Sequence, residues 1–158
     1  MVTWIDIVSI RLRTVHQQWA GFRENRKTPH MDCYDYFAKL PIIDLSSNCS
    51  VVLLASSDRA RWPVVHAGSV IRKMLPNVQP GKNFEAGQLP YARIGLANWP
   101  FATARIAEPN CERGHLGYGD EQWDFEVLIL PFINDQQKVG LVHTVFDIPR
   151  TVWKGIVP

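Results

Sequence analysis

The sequence has too few cysteines, and in the wrong places, for a disulfide frame or a zinc knuckle. Cys33, Cys49 and Cys111 are odd in number, widely spaced and without a CxxC pair. They read as reduced thiols acting as small buried hydrophobes, which sets the expected compartment as cytoplasmic. Long apolar runs are also missing: nothing approaches the roughly 18 residues of a membrane span. The opening MVTWIDIVSIRLR carries Asp6 where a secretory signal would need uninterrupted apolar residues, so neither a signal nor a membrane partner is expected. Charge of one sign is scarce too, with 17 Lys and Arg against 15 Asp and Glu, a net charge of +2. The cations are scattered, so no basic stripe exists to release counterions, and nucleic acid is not an expected partner. Walker-type glycine loops, GxSxG elbows and HExxH motifs are absent, which weakens an enzymatic reading. Asp32, Asp35 and Asp44 lack the spacing of a calcium loop and read as a solvated acidic face; no metal is expected.

What remains is an ordinary globular composition, 46% hydrophobic and 20% charged over 158 residues, which suits one domain with a sizeable core. Val8, Leu12, Val15, Trp19 and Phe22 recur at spacings of four, three, four and three, an apolar seam on an N-terminal helix. About two heptads are too few for an isolated coiled coil, so this helix must pack on the domain, on a second copy, or on both. Residues 1–28 are read as that packing or dimerisation helix, 29–150 as the domain proper and 151–158 as a tail. Cys33 to Lys39 can form a short helix, and Val51 to Ala55 is the stronger of two candidate strands. A strand through Val64 and Val65 returns antiparallel to it, and Pro63, without an amide donor, puts that strand at a sheet edge. Arg61 to Phe84 reads as strand, Gly68 turn, a helix capped by Ser69 and carrying Val70, Ile71, Met74 and Leu75, then Pro76, Pro80 and Gly81 as breakers. Short helical turns are expected from Phe84 to Asn98, a strand over Phe101 to Ala107, and a loop over Glu108 to Glu121.

The strongest β signal is a hairpin. Trp123, Phe125, Val127 and Ile129 alternate with Asp124, Glu126, Leu128 and Leu130, and on the return strand Val142, Thr144, Phe146 and Ile148 alternate with Leu141, His143, Val145 and Asp147. A four-residue loop at 134–137 pairs Phe125 with Phe146, Val127 with Thr144 and Ile129 with Val142, making one continuous core face. The opposite face is polar at Asp124, Glu126 and Asp147 but apolar at Leu128, Leu130, Phe132, Val139 and Leu141, and needs a cover. The N-terminal helix is the obvious one, from the same chain or a partner. A homodimer is expected through Val8, Leu12, Val15, Trp19, Phe22, Leu128, Leu130 and Leu141.

A helix ending in WAGFRENRKTP, two antiparallel strands, the VVHAGSVIRKML strand-to-helix step, a GKNF segment and a closing long hairpin together resemble a PAS domain. Over roughly residues 12–148 the chain is similar to standalone PAS-like proteins of alphaproteobacteria, in which a strand running into Gly-Thr or Gly-Ser is followed by a helix and a Gly-Arg or Gly-Lys segment. The resemblance implies an α+β fold: a five-stranded antiparallel sheet in order 2-1-5-4-3, helices over one face enclosing a pocket, and an N-terminal helix over the other. Haem-binding PAS proteins use a histidine on the helix after the strand-to-helix step, and here no histidine lies between His66 and His115. Flavin-binding photosensors carry Asn-Cys-Arg-Phe-Leu-Gln on a helix, whereas Asn110-Cys111-Glu112-Arg113 lies in the expected loop and lacks the rest. No haem, flavin or other cofactor is therefore expected.

The expected ligand pocket lies between the core face and Val70 to Trp99, lined by some of His66, Tyr91, Arg93, Trp99, Trp123, Phe125 and Thr144. Thr144 is the one polar residue of its run, and its hydroxyl must bond its own backbone, a buried water or a ligand. His66 and His143 sit on apolar strands, where a satisfied structural histidine is the better reading. The function expected is a stand-alone sensory module that binds a small molecule or a protein partner, signals through helix-mediated association, and hands the signal to a separate protein. The rival is a small cone-shaped α+β enzyme with Glu126 and His143 as acid–base pair. A third reading is an adaptor whose pocket its own aromatic side chains fill.

Overall fold

Alternating burial in the C-terminal half builds the frame on which everything else packs. The computed structural model describes residues 6–43, 47–56, 58, 61–74, 78–84, 101–118 and 121–148. Strands β1 (Cys49–Leu53), β2 (Val64–Ala67), β3 (Asn110–Tyr118), β4 (Glu121–Ile133) and β5 (Val139–Asp147) form one antiparallel sheet in the order β2-β1-β5-β4-β3. This is the α+β arrangement that the PAS resemblance implies. The Pro63 strand is at an edge as expected, and the chain closes that edge itself. Gly81 and Phe84 donate their amides to the carbonyls of Val64 and Trp62, and Val64 donates to Lys82.

Helix α1 (Ile10–Gly21) starts at Ser9, whose hydroxyl accepts the Leu12 amide at 3.2 Å, and ends at the Phe22 cap. Its seam residues Leu12, Val15 and Trp19 are fully buried against Leu128, Leu130, Leu141 and Val145 of the same chain. A 3-10 turn (Met31–Cys33) and helix α2 (Tyr34–Ala38) add Phe37 to this outer cluster. On the inner side, α3 (Ser69–Met74) and α4 (Phe101–Ile106) cover the other face. There Val52, Val64, Val70, Ile71, Phe125, Val127, Val142 and Phe146 share a second cluster. No helix among the described residues is long and apolar enough to cross a membrane.

The Gly68 step is set by a close approach. A Cβ there would lie 2.2 Å from the Ser47 carbonyl oxygen, so only glycine lets the strand pass under that backbone before α3 begins. The helix starts at Ser69 itself, with the Gly68 carbonyl accepting from Arg72.

Three expectations change. The hairpin is shifted by two residues, so that Val127 faces Phe146 and Ile129 faces Thr144. Asn134 closes its turn on Lys138 at 2.8 Å, one residue beyond the expected loop, and Gly140 bulges between the pairs Phe132–Leu141 and Ile133–Val139. Each contributes one residue to the shift, so beyond the bulge an even shift leaves the side chains on their expected faces, whereas Val139, between turn and bulge, moves from the expected outer face to the inner cluster. Second, Phe101 to Ala107 is not a strand: its two interior alanines suit α4, which ends at Ile106, just before Ala107 turns to φ 53°. Third, the expected loop at 108–121 contains β3, a nine-residue edge strand whose Gly114 and Gly117 stand opposite Phe125 and Gln122. Glycine marks a loop only when nothing pairs with it, and here β4 does.

Pro131 sits inside β4 without breaking the sheet. Asn110 is the last β3 residue to pair, opposite Ile129, so Pro131 falls where β4 has a neighbour only on the β5 side. Its carbonyl accepts the Trp19 indole Nε1–H at 3.0 Å, which anchors α1 to the sheet.

Candidate functional site

The sheet register sorts the expected pocket residues. Ser50, Thr144 and Ile129 stand side by side on β1, β5 and β4, and Val52 in the inner cluster fixes that row on the inner face. Thr144 is fully buried there, and Phe125 is buried with its ring 5.6 Å from that of Phe146. His66 is not with them. It pairs with Val51, whose side chain belongs to the outer cluster, because the β1–β2 bulge next to it makes Val65 the extra, exposed residue. Tyr91, Arg93 and Trp99 lie outside the described residues, as does the Trp123 side chain, although its backbone, in β4, pairs with Leu116 of β3.

Two inner-side groups were missed. Ser50 Oγ and, on α4, Thr103 Oγ1 are buried and have no hydrogen-bond partner among the described residues. A buried hydroxyl without a partner costs about 1–3 kcal/mol. Alternation along Cys49–Leu53 places Ser50 beside Val52, a signal that the pairing with Thr144 would have sharpened. Nothing in the sequence pointed to Thr103, because its segment read as a strand.

All three cysteines lie on the other side. Cys49 is in the outer cluster, and Cys33 and Cys111 pack against it. Cys111 is on β3, not in a loop, and burial pushes its thiol up to about 12. It is protonated and faces away from Ser50 and Thr144, so the inner face has no thiol for flavin-adduct chemistry.

The acid–base pair of the enzyme reading does not form. Glu126 and His143 share the outer face, but His143 stands opposite Leu130, four residues from Glu126 and so about 13 Å along the strand. His143 is fully buried, its Nδ1 lies 2.9 Å from the Tyr34 hydroxyl, and burial, with His66 adding to it, lowers its pKa to about 3. It is a neutral core histidine. Glu126 instead accepts the amides of Val8 at 3.0 Å and Ser9 at 2.7 Å, and Arg113 Nε donates to it at 2.7 Å. Arg113 also donates to the Asp6 carbonyl, and the Ser9 hydroxyl donates to Asp147. Together these groups clamp the N-terminus of α1 to β3, β4 and β5. Burial alone would raise the Glu126 pKa; Arg113 and the two amides outweigh it and hold the carboxyl below its ordinary value.

The eight residues expected at a dimer interface therefore divide. Leu12, Val15, Trp19, Leu128, Leu130 and Leu141 are buried against one another within one chain, Phe22 packs half-buried beside them, and Val8 is exposed. The cover that the apolar face needs is supplied in cis.

No protein-family model matches the sequence, and no curated protein does. Among solved structures, the chain is similar to a fungal LOV-domain photoreceptor, at 15% identity and a TM-score of 0.47, over 89% of this chain and 92% of that one. It is also similar to a double variant of Vivid, at 13% identity and a TM-score of 0.47, over 93% of this chain and 99% of that one.

Proposed function

We propose that this protein is a sensory module that binds a small molecule on the inner face of its sheet and signals by changing how α1 sits on the outer face. The observation that supports it is that two buried hydroxyls, Ser50 Oγ beside Thr144 and Thr103 Oγ1 on α4, have no hydrogen-bond partner among the described residues. A mostly apolar wall with a few polar groups is what a small-molecule pocket offers. The ligand bonds Ser50 and Thr144 and lies against Phe125. Glu126 follows Phe125 on β4 and Asp147 lies three residues beyond Thr144 on β5, so a shift of these strands reaches the α1 clamp directly. Loosening α1 exposes Leu128, Leu130 and Leu141 to a second copy or to a separate signalling protein.

Native mass spectrometry of the purified protein is the test. A small molecule retained at near-stoichiometric occupancy, and lost in Ser50→Ala with Thr144→Val, is the expected result. A ligand whose retention ignores that double variant overturns the site.

A further inference from the structure

A groove at the opposite end of β4 and β5 from the clamp, about 480 Å³ in volume, runs between the hairpin turn, the end of β1 and the end of α4. Its floor is apolar, formed by Leu54, Trp62 and Val139, of which the last two belong to the inner cluster. Its rim carries Arg105 and Lys138, both exposed, and its described lining contains no aspartate or glutamate. Among the described residues neither cation has a carboxylate partner. The nearby acids are engaged elsewhere: Asp135 with His30 at 2.8 Å, Glu108 with Lys27, and Asp58 with Arg61 at 3.8 Å.

The rim is also held in place. Asn134 Oδ1 accepts the amides of Gln136 at 2.9 Å and Lys138 at 3.2 Å, and Gln137 takes a left-handed φ of 62°, so the turn that presents Lys138 is fixed by its own bonds. With Oδ1 occupied, Asn134 has its Nδ2 hydrogens left to donate. Two cations and an amide donor above an apolar floor match a ligand with a negative head and an apolar body.

We propose that this groove binds a small organic carboxylate, its carboxylate between Arg105 and Lys138 and its body on Trp62, Leu54 and Val139. The site is separate from the Ser50–Thr144 row, and either assignment can fail without the other.

Benzoate, benzyl alcohol and inorganic phosphate are the probes, titrated into ¹⁵N-labelled full chain. Benzoate is expected to shift the Trp62 indole and the Leu54 and Lys138 amides saturably, and to bind about tenfold or more tighter than either benzyl alcohol or phosphate, a difference of about 1.4 kcal/mol. Arg105→Gln with Lys138→Gln, both exposed positions that leave the core intact, lowers benzoate affinity about tenfold and leaves benzyl alcohol unchanged. No saturable benzoate shift, equal affinity for benzoate and benzyl alcohol, or an indifferent double variant overturns the carboxylate contact. Phosphate binding as tightly as benzoate overturns the apolar body. Ser50→Ala leaves the benzoate shifts in place; their loss in that variant would put the ligand on the inner face and overturn the groove.

Discussion

Glu126 accepts the backbone amide of Ser9 at 2.7 Å across 117 residues of sequence, so a β4 carboxylate completes the N-terminal cap of α1. Capping boxes use a glutamate three residues into the helix for this purpose. Here position 12 is Leu12, committed to the seam, and the sheet supplies the acid instead. The docking of α1 is thereby tied to the charge of a single strand residue.

That charge gives the first prediction. Because the folded pKa of Glu126 lies below its ordinary 4.5, the contribution is complete above that value and is lost as pH falls through it toward the folded value. Glu126→Gln keeps one acceptor oxygen but removes the ion pair with Arg113, and should cost about 1–3 kcal/mol near neutral pH. Urea titrations from pH 7 down to the folding limit check it: the difference between wild type and variant should shrink as the acid limb is entered. A constant difference across that range would mean that the carboxylate charge does not hold the helix.

His143 should act at higher pH. Its folded pKa of about 3 lies below the 6.5 of the unfolded chain, so the unfolded state takes up a proton first as pH falls below 6.5. Stability should then decline with a slope approaching 1.4 kcal/mol per pH unit for one proton, about two pH units before Glu126 contributes. Replacing the bonded pair together, Tyr34→Phe with His143→Phe, should flatten that limb, whereas Tyr34→Phe alone leaves the buried imidazole without its partner and should cost about 1–3 kcal/mol. Stability of the double variant that still fell between pH 6.5 and 5 would assign the proton elsewhere.

Two glycines should respond oppositely to alanine. At Gly68 the new Cβ meets the Ser47 carbonyl, carbon and Cα, all closer than 3 Å, and the backbone has to move; a loss of about 1–3 kcal/mol is expected. At Gly21, in the last turn of α1, a Cβ meets nothing within 4 Å, and alanine should add up to about 1 kcal/mol. Thermal unfolding of the two single variants decides it, and a stable Gly68→Ala protein would show that the strand-to-helix step tolerates a wider turn than the one observed.

The sheet was legible because alternation survives an even register error: Phe125, Val127, Thr144 and Phe146 kept their face although the turn and the Gly140 bulge moved every pair. The edge role of Pro63 followed from its missing donor. β3 was not legible, since Gly114 and Gly117 resemble loop residues until β4 is known to run beside them. His66 was put on the wrong face for a similar reason: period two along Val64–Ala67 fails at a bulge that the local sequence does not announce. The clamp escaped because its members, Asp6, Ser9, Arg113, Glu126 and Asp147, come from four separate stretches of chain. The apolar seam was legible but what covers it was not, and Leu12, Val15 and Trp19 meet Leu128, Leu130 and Leu141 within one molecule.

Ser50 allows the inner-face reading to be tested without knowing the ligand. A buried hydroxyl with no partner among the described residues is a cost until a ligand bonds it, so Ser50→Ala should leave stability without ligand unchanged or raise it by about 1 kcal/mol. The same change removes a ligand contact and should abolish the rise in melting temperature that the bound small molecule confers, because a ligand stabilises only the state it binds. A core serine bonded to an internal water behaves the other way, losing stability on substitution while the ligand-induced rise persists. Melting curves of wild type and Ser50→Ala, each as purified and after ligand removal by partial unfolding and refolding, separate the two. A destabilised Ser50→Ala with an undiminished ligand effect would take the inner row out of the binding site.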